Sequence, residues 1–296
     1  MTCCQSLSKN LVAEFLGTMG LIIVAIGSII LPQLVWGAEF GYQFVFMNAV
    51  AVGFVLFALI ETFGPLSGSH FNPAVTIALL VSKEITPKKA AAYIVAQICG
   101  ALVGIFLLNI IFYDTTQALY FVSDIDRSSI YILISEFLCT FMLVAVIFGC
   151  VRGTSNKTSL AVGLFVGGMI ITTSSTMFAN PAVDIARIFT NAACGINPMS
   201  AVYFIIADIL GAICAAVLFN WLYPLKLKEG EKCEPFDCST CQSTPEQTVT
   251  RKLEDGEKCE PFDCSTCQNT PEQKATRKLD DDEKCDPFDC SRRDNK

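Results

Sequence analysis

The chain has 296 residues, 52% of them hydrophobic and 17% charged, with a formal net charge of −7. That acidic balance excludes a protein that binds nucleic acid through its phosphates, and no nucleophile–base or metal-catalytic constellation points to an enzyme. Residues 1–225 hold 8 Lys and Arg and 10 Asp and Glu, whereas 226–296 hold 13 and 18, so an apolar membrane domain is followed by a polar tail.

Crossing about 30 Å of hydrocarbon takes roughly 20 mostly apolar residues. Six stretches qualify, at 11–31, 43–63, 88–112, 129–150, 159–177 and 200–223. The first lacks a small-residue cleavage site and is long enough to span, so it reads as a helix of the domain rather than a cleaved signal. Lys83, Lys88 and Lys89 lie between spans 2 and 3, Arg152 and Lys157 between spans 4 and 5, and Lys226 and Lys228 follow span 6. The other loops are poor in Lys and Arg, which predicts both termini on the cytosolic side of the cell membrane.

An internal repeat is visible by eye. "AEFLGT" (13–18) returns as "SEFLCT" (135–140), "YIVAQICGALVG" (93–104) as "YFIIADILGAICA" (203–215), and "FNPAV" (71–75) as "ANPAV" (179–183). Each half therefore has three spans with a special segment between its second and third. An odd number of spans per copy makes the repeat an inverted one, 3+3, with the second copy running the opposite way. The apolar runs 74–81 and 182–189 are too short to span and read as half-helices entering from opposite sides. Pro73 and Pro181 suit the first helical position, with Asn72 and Asn180 as N-caps, and Ala74 and Ala182 complete the motifs. Two helix N-termini meeting at the midplane repel cations there, and the Asn amides offer N–H donors to a passing neutral oxygen. The fold class is an all-α membrane protein with six transmembrane helices and two half-helices.

"SGSHFNPAVT" (67–76), "ANPAV" (179–183) and the paired "EFLGT" and "EFLCT" resemble the major intrinsic protein family, the aquaporins and aquaglyceroporins. The resemblance covers about residues 8–224 and implies an aquaporin-like fold, a pore in each subunit for water and small neutral solutes across the lipid bilayer, and a homotetramer. It gives Glu14 and Glu136 the role of bracing the pore loops, and places His70 in the cytosolic half of the pore. The selectivity filter then falls on Val52, Ile170, Met177 and Val183, with Gly168 as the alternative to Ile170. Most of the family has Arg where this chain has Val183, so a wider, less polar filter is expected, suited to glycerol-like polyols. Arg187 lies one turn further on and is a candidate replacement for the missing charge, with Asp184 at i,i+3 as a candidate partner for it. Asp208, which stands where the first half has Gln97, and Glu61 are the acids that an ion-coupled secondary transporter would use. A strict water channel is the further alternative.

The tail repeats with a period of 26: Cys233, Cys238 and Cys241, then Cys259, Cys264 and Cys267, then Cys285 and Cys290. Its polar, Pro-containing sequence predicts disorder. Three clustered thiolates suit a trivalent arsenic centre, and zinc would need a fourth ligand, for which Cys3 or Cys4 is available. The "NPAV…AR" form resembles that of a bacterial subgroup of the family, some members of which are associated with arsenic resistance. This resemblance extends the expected solutes to metalloid hydroxides such as arsenous acid. A membrane-anchored thiol sensor for metal is the remaining alternative.

Overall fold

A computed structural model describes residues 6–35, 37 and 41–224, so the cysteines of the tail and Cys3 and Cys4 lie outside the described residues. Among the described residues there are nine α-helices and no strand: α1 Leu7–Ile30, α2 Tyr42–Ser67, α3 Pro73–Val81, α4 Pro87–Ile111, α5 Tyr113–Thr116, α6 Ile130–Arg152, α7 Thr158–Thr172, α8 Pro181–Arg187 and α9 Pro198–Leu222. A single π turn, Leu31–Val35, extends α1.

The helix starts are written in one recurring dipeptide. Asn72, Thr86, Asn180 and Asn197 each cap a helix with the side-chain oxygen, and each is followed by Pro at the first helical position. The cap oxygen satisfies N–H groups that the helix cannot, and Pro gives up an N–H that would have had no partner. The four starts come in two pairs, Asn72/Thr86 and Asn180/Asn197, one pair in each half.

Packing follows the repeat. In the first half α1 lies against α4, and in the second α6 lies against α9, while α2 and α7 meet across the two halves. Each half-helix then rests on a helix of the opposite copy, α3 on α9 and α8 on α4. Close approach is set by two equivalent glycines. A Cβ at Gly100 would stand 2.3 Å from the Phe15 carbonyl oxygen, and one at Gly211 would stand 2.5 Å from that of Phe137. Neither contact is sterically allowed, so these helix pairs touch backbone to backbone as small residues permit in membranes.

Among the described residues, five helices are long and apolar enough to cross a membrane. The fifth span expected from sequence, 159–177, ends five residues early, at Thr172. Fifteen residues rise only about 22 Å. The Thr172 and Thr173 hydroxyls donate to the carbonyls of Gly168 and Met169 at 3.0 and 2.6 Å in the last turn, and the chain leaves the helix there. What reads as the end of an apolar span is the start of the loop that carries the second motif.

Candidate functional site

The two half-helices meet end to end, and their caps are clasped crosswise. Asn72 Oδ1 accepts from the N–H groups of Ala74 and Val75 at 2.8 and 3.4 Å, and Asn180 Oδ1 accepts from Ala182 N–H at 3.0 Å. Each amide nitrogen donates to the loop of the other half, Asn72 to the Ala179 carbonyl at 2.7 Å and Asn180 to the Phe71 carbonyl at 2.9 Å. An amide has two N–H bonds. One is spent on the clasp, and one is left for the pore.

The loops feeding the motifs match at the backbone level. Gly68, Ser69 and Phe71 have φ of 88°, 50° and 49°, and Thr176, Met177 and Ala179, their repeat equivalents, have φ of 59°, 45° and 48°. Left-handed backbone at five non-glycine residues is costly and persists only when its surroundings enforce it. Two buried glutamates do so. Glu14 accepts from Ser67 Oγ at 2.6 Å, His70 N at 3.0 Å and Phe71 N at 2.7 Å, while Glu136 accepts from Ala179 N.

A cavity of about 610 Å³ runs past both motifs. Glu84, Lys89 and Arg152 line one end, His70, Asn72 and Asn180 the middle, and Val52, Ile170, Met177, Val183 and Arg187 the other. Pro73, Ala74, Pro181 and Ala182 are buried behind it in the first turns of α3 and α8. His70 Nδ1 lies 3.1 Å from Thr76 Oγ1, and its ring packs edge-on against Tyr93 with centroids 5.0 Å apart. Gly168 does not line the cavity. It is exposed on the opposite side of α7, where an added Cβ would meet nothing within 4 Å. The position on α7 that faces the lumen is therefore Ile170.

Arg187 departs from expectation in its partner. Its guanidinium lies 3.9 Å from the centre of the Phe178 ring and its Nε, though buried, has no hydrogen-bond partner. Asp184 forms no ion pair with it; the Asp184 carboxyl faces Asp208 on α9 instead. Arg127 approaches the same ring, its guanidinium 5.2 Å from the Phe178 ring centre. Arg127 donates from Nε to Gly195 O and from Nη2 to Ala193 O, both at 3.0 Å, and so straps the loop after α8 over the site. Burial first, and then the neighbouring Arg187, draws the Arg127 pKa below its ordinary value.

At the other end, Arg152 pairs with Glu84 at 2.5 Å and donates to Phe219 O and to Asn220 Oδ1 at 2.9 and 3.0 Å. This joins the segment after α3 to α6 and α9. The two Lys- and Arg-bearing loops, α3–α4 and α6–α7, thereby share one end of the bundle. Phe178, Arg127 and the Glu84–Arg152 pair were not singled out from sequence. Phe178 and Arg127 lie in loops with no motif of their own, and only the repeat position of Phe178, opposite His70, marks it. Of the two acids suggested for ion coupling, Glu61 accepts from Ser159 near the end of α2 and Asp208 accepts from Thr140 Oγ1 at 2.7 Å.

A profile of the major intrinsic proteins matches residues 2–177, and an aquaglyceroporin of Rhizobium meliloti is 37% identical over 220 residues, covering 73% of this chain and 91% of that protein. The chain belongs to the major intrinsic protein family. It is a membrane channel and not an enzyme. Human aquaporin-5 is 29% identical over 240 residues, with 78% of this chain and 87% of the relative covered, and rice aquaporin NIP1-2 is 28% identical over 234 residues, with 74% of each covered. The crystal structure of the Plasmodium falciparum aquaglyceroporin superposes with a TM-score of 0.55 at 22% identity, over 74% of this chain and 96% of that one, which shows the shared fold. The profile match ends three residues before Asn180, so the second motif and Val183 of this major intrinsic protein lie beyond it.

Proposed function

We propose that this major intrinsic protein is a passive channel of wide filter, carrying water together with glycerol-like polyols and metalloid hydroxides such as arsenous acid. The observation that carries this reading is the composition of the cavity wall beside the second motif. Val52, Ile170, Met177 and Val183 present only apolar groups, and the one cation, Arg187, stands a helical turn behind the position that Val183 occupies. An apolar wall with donors at one corner and at the two Asn amides accommodates a solute with a hydrocarbon edge and a row of hydroxyls. The likeness to the aquaglyceroporin of Rhizobium meliloti supports it. The N-termini of α3 and α8, aimed at one another, oppose the passage of cations.

We place the channel in the cell membrane as a homotetramer with both termini cytosolic. The tail cysteines Cys233, Cys238, Cys241, Cys259, Cys264, Cys267, Cys285 and Cys290 then meet solute on the cytosolic side, where their thiolates are ligands for arsenic(III) or zinc. Stopped-flow light scattering on proteoliposomes tests the pore. Glycerol and arsenous acid permeating both the full chain and a chain ending at Lys226, insensitive to a pH gradient, is the expected result. Passage of water alone would refute the wide filter. Replacing the tail cysteines with Ser tests the tail, and unchanged arsenite and zinc binding would refute thiolate ligation.

A further inference from the structure

The two halves satisfy the same buried polar site with different atoms. Behind α3, Glu14, Thr76 and Gln97 meet. The Gln97 amide donates to Glu14 Oε2 at 2.8 Å and to Thr76 Oγ1 at 3.0 Å, and the Thr76 hydroxyl donates to Asn72 O at 3.0 Å. One charge and two neutral groups complete that network. In the second half the equivalent positions follow from the repeat. Glu136 stands for Glu14, Asp184 stands for Thr76 as the fourth residue after its Asn, and Asp208 stands for Gln97 as the third residue before its Gly.

Three carboxyls therefore occupy the place of one, and none has any exposed surface. The hydrogen bonds given to them come from Thr140 Oγ1 to Asp208 Oδ1 at 2.7 Å and from Ala179 N to Glu136 Oε1. Glu136 Oε2, Asp208 Oδ2 and both Asp184 oxygens have no donor, and Asp184 and Asp208 are near enough to act on each other. Three adjacent buried carboxylates with only two donors among them are untenable on desolvation and repulsion. A protonated carboxyl is itself a donor, and two facing carboxyls share a proton rather than both ionise. Two protons supply the hydrogen bonds that the Gln97 amide supplies in the first half. They also leave one negative charge against the single positive charge of Arg187, three residues along α8 from Asp184.

We propose that Glu136, Asp184 and Asp208 form a proton-binding site that holds two protons at neutral pH and, through carboxyl-to-carboxyl hydrogen bonds, positions α8 with its pore residues Val183 and Arg187. Neither aspartate lines the cavity, so both act through α8 as positioning residues. The charged and titratable groups around the site are few. Glu136 and the Cys139 thiol face it from α6, and Arg187 from α8, with Cys194 and Arg127 of the outer loops reaching Arg187. The α3 sequence has no ionisable residue, Glu14 of α1 is engaged by residues 67–71 and Gln97, and the lysines of α4 lie in its first turn. The proposal does not depend on which solute the pore passes.

Infrared difference spectroscopy of the full chain in lipid, compared between H₂O and D₂O at neutral pH, reads the protons directly. The C=O stretch of a protonated carboxyl is expected in the wild type, weakened in Asp208→Gln and abolished by alkaline titration. Thermal midpoints across the same titration give the second readout. A folded state that binds protons the unfolded chain does not must lose stability as pH rises, so the wild-type midpoint falls by several degrees on going to alkaline pH. Asp208→Gln, which restores the amide of the first half, gives a flatter profile and folds at least as well at neutral pH. Asp184→Thr, which restores the hydroxyl, gives the same flattening if the first variant fails to fold. Absence of a protonated-carboxyl band at neutral pH, or parallel pH profiles for wild type and variants, overturns the proposal.

Discussion

Returning an arginine to the filter position tests where the channel keeps its fixed charge. Val183 and Arg187 are separated by four residues of α8, an axial rise of about 6 Å. Both line the same cavity. In Val183→Arg two guanidiniums share that wall, and at about 6 Å with an effective dielectric constant of about 20 their repulsion is about 3 kcal/mol. The single variant is therefore expected to be destabilised by about that amount. Arg187→Ala loses the stacking on Phe178, worth about 1–2 kcal/mol for a desolvated cation–π contact, and with it the positive charge facing the buried carboxyl site. The double variant, with one cation again, recovers the repulsion, so a double-mutant cycle on unfolding free energies returns a coupling of about 3 kcal/mol. Permeability reports the same geometry: the double variant passes water and loses glycerol, because its cation now closes the filter. A coupling near zero, with glycerol still passing the double variant, refutes the claim that Arg187 and Val183 share one wall of the pore.

Further outcomes follow from single contacts. Asn180→Ala removes the cap of α8 and the donor to Phe71 O together, and a loss of about 2 kcal/mol is expected in unfolding measurements, with Asn180→Asp, which keeps only the cap, in between. Gly211→Leu is expected to abolish recovery of monodisperse protein, since its Cβ alone would stand 2.5 Å from Phe137 O. Arg127→Ala, which releases Ala193 O and Gly195 O, should destabilise by about 3 kcal/mol for two bonds from a charged donor and raise protease cleavage after α8. In the α5–α6 loop, the Ser128 hydroxyl, then that of Ser200, hold Asp126 below its ordinary pKa. Its contribution is present above the usual carboxylate range and lost only as pH falls through the lowered value, so Asp126→Asn should remove one acid-side step from the stability–pH curve.

The repeat, the paired motifs and the caps at Asn72 and Asn180 were legible because each is a local pattern with a local cause. Thr86-Pro87 and Asn197-Pro198 carry the same cap-and-proline signal but were not singled out from sequence. The end of α7 was not legible. Met169, Ile170 and Ile171 continue the apolar run, yet the helix stops at Thr172, where the chain passes into the loop that carries the second motif. Nor was the direction of Asp184. Spacing alone offered Arg187 at i,i+3, but the carboxyl turns to Asp208, a partner 24 residues away in sequence that only the packing of α8 on α9 supplies.

The crosswise clasp of the two asparagines also sets the order in which the molecule is completed. Asn72 donates to the carbonyl of a residue 107 positions later, and Asn180 returns the contact to Phe71. While the chain is being synthesised, the first re-entrant loop waits for the second for roughly 5–20 s at about 5–20 residues per second. During that interval Glu14 and Gln97, both already translated, are the groups able to hold its left-handed turns. The first half is thus built to wait. Its finished network of neutral donors keeps an unpartnered loop in shape, whereas the second half arrives to a partner already in place.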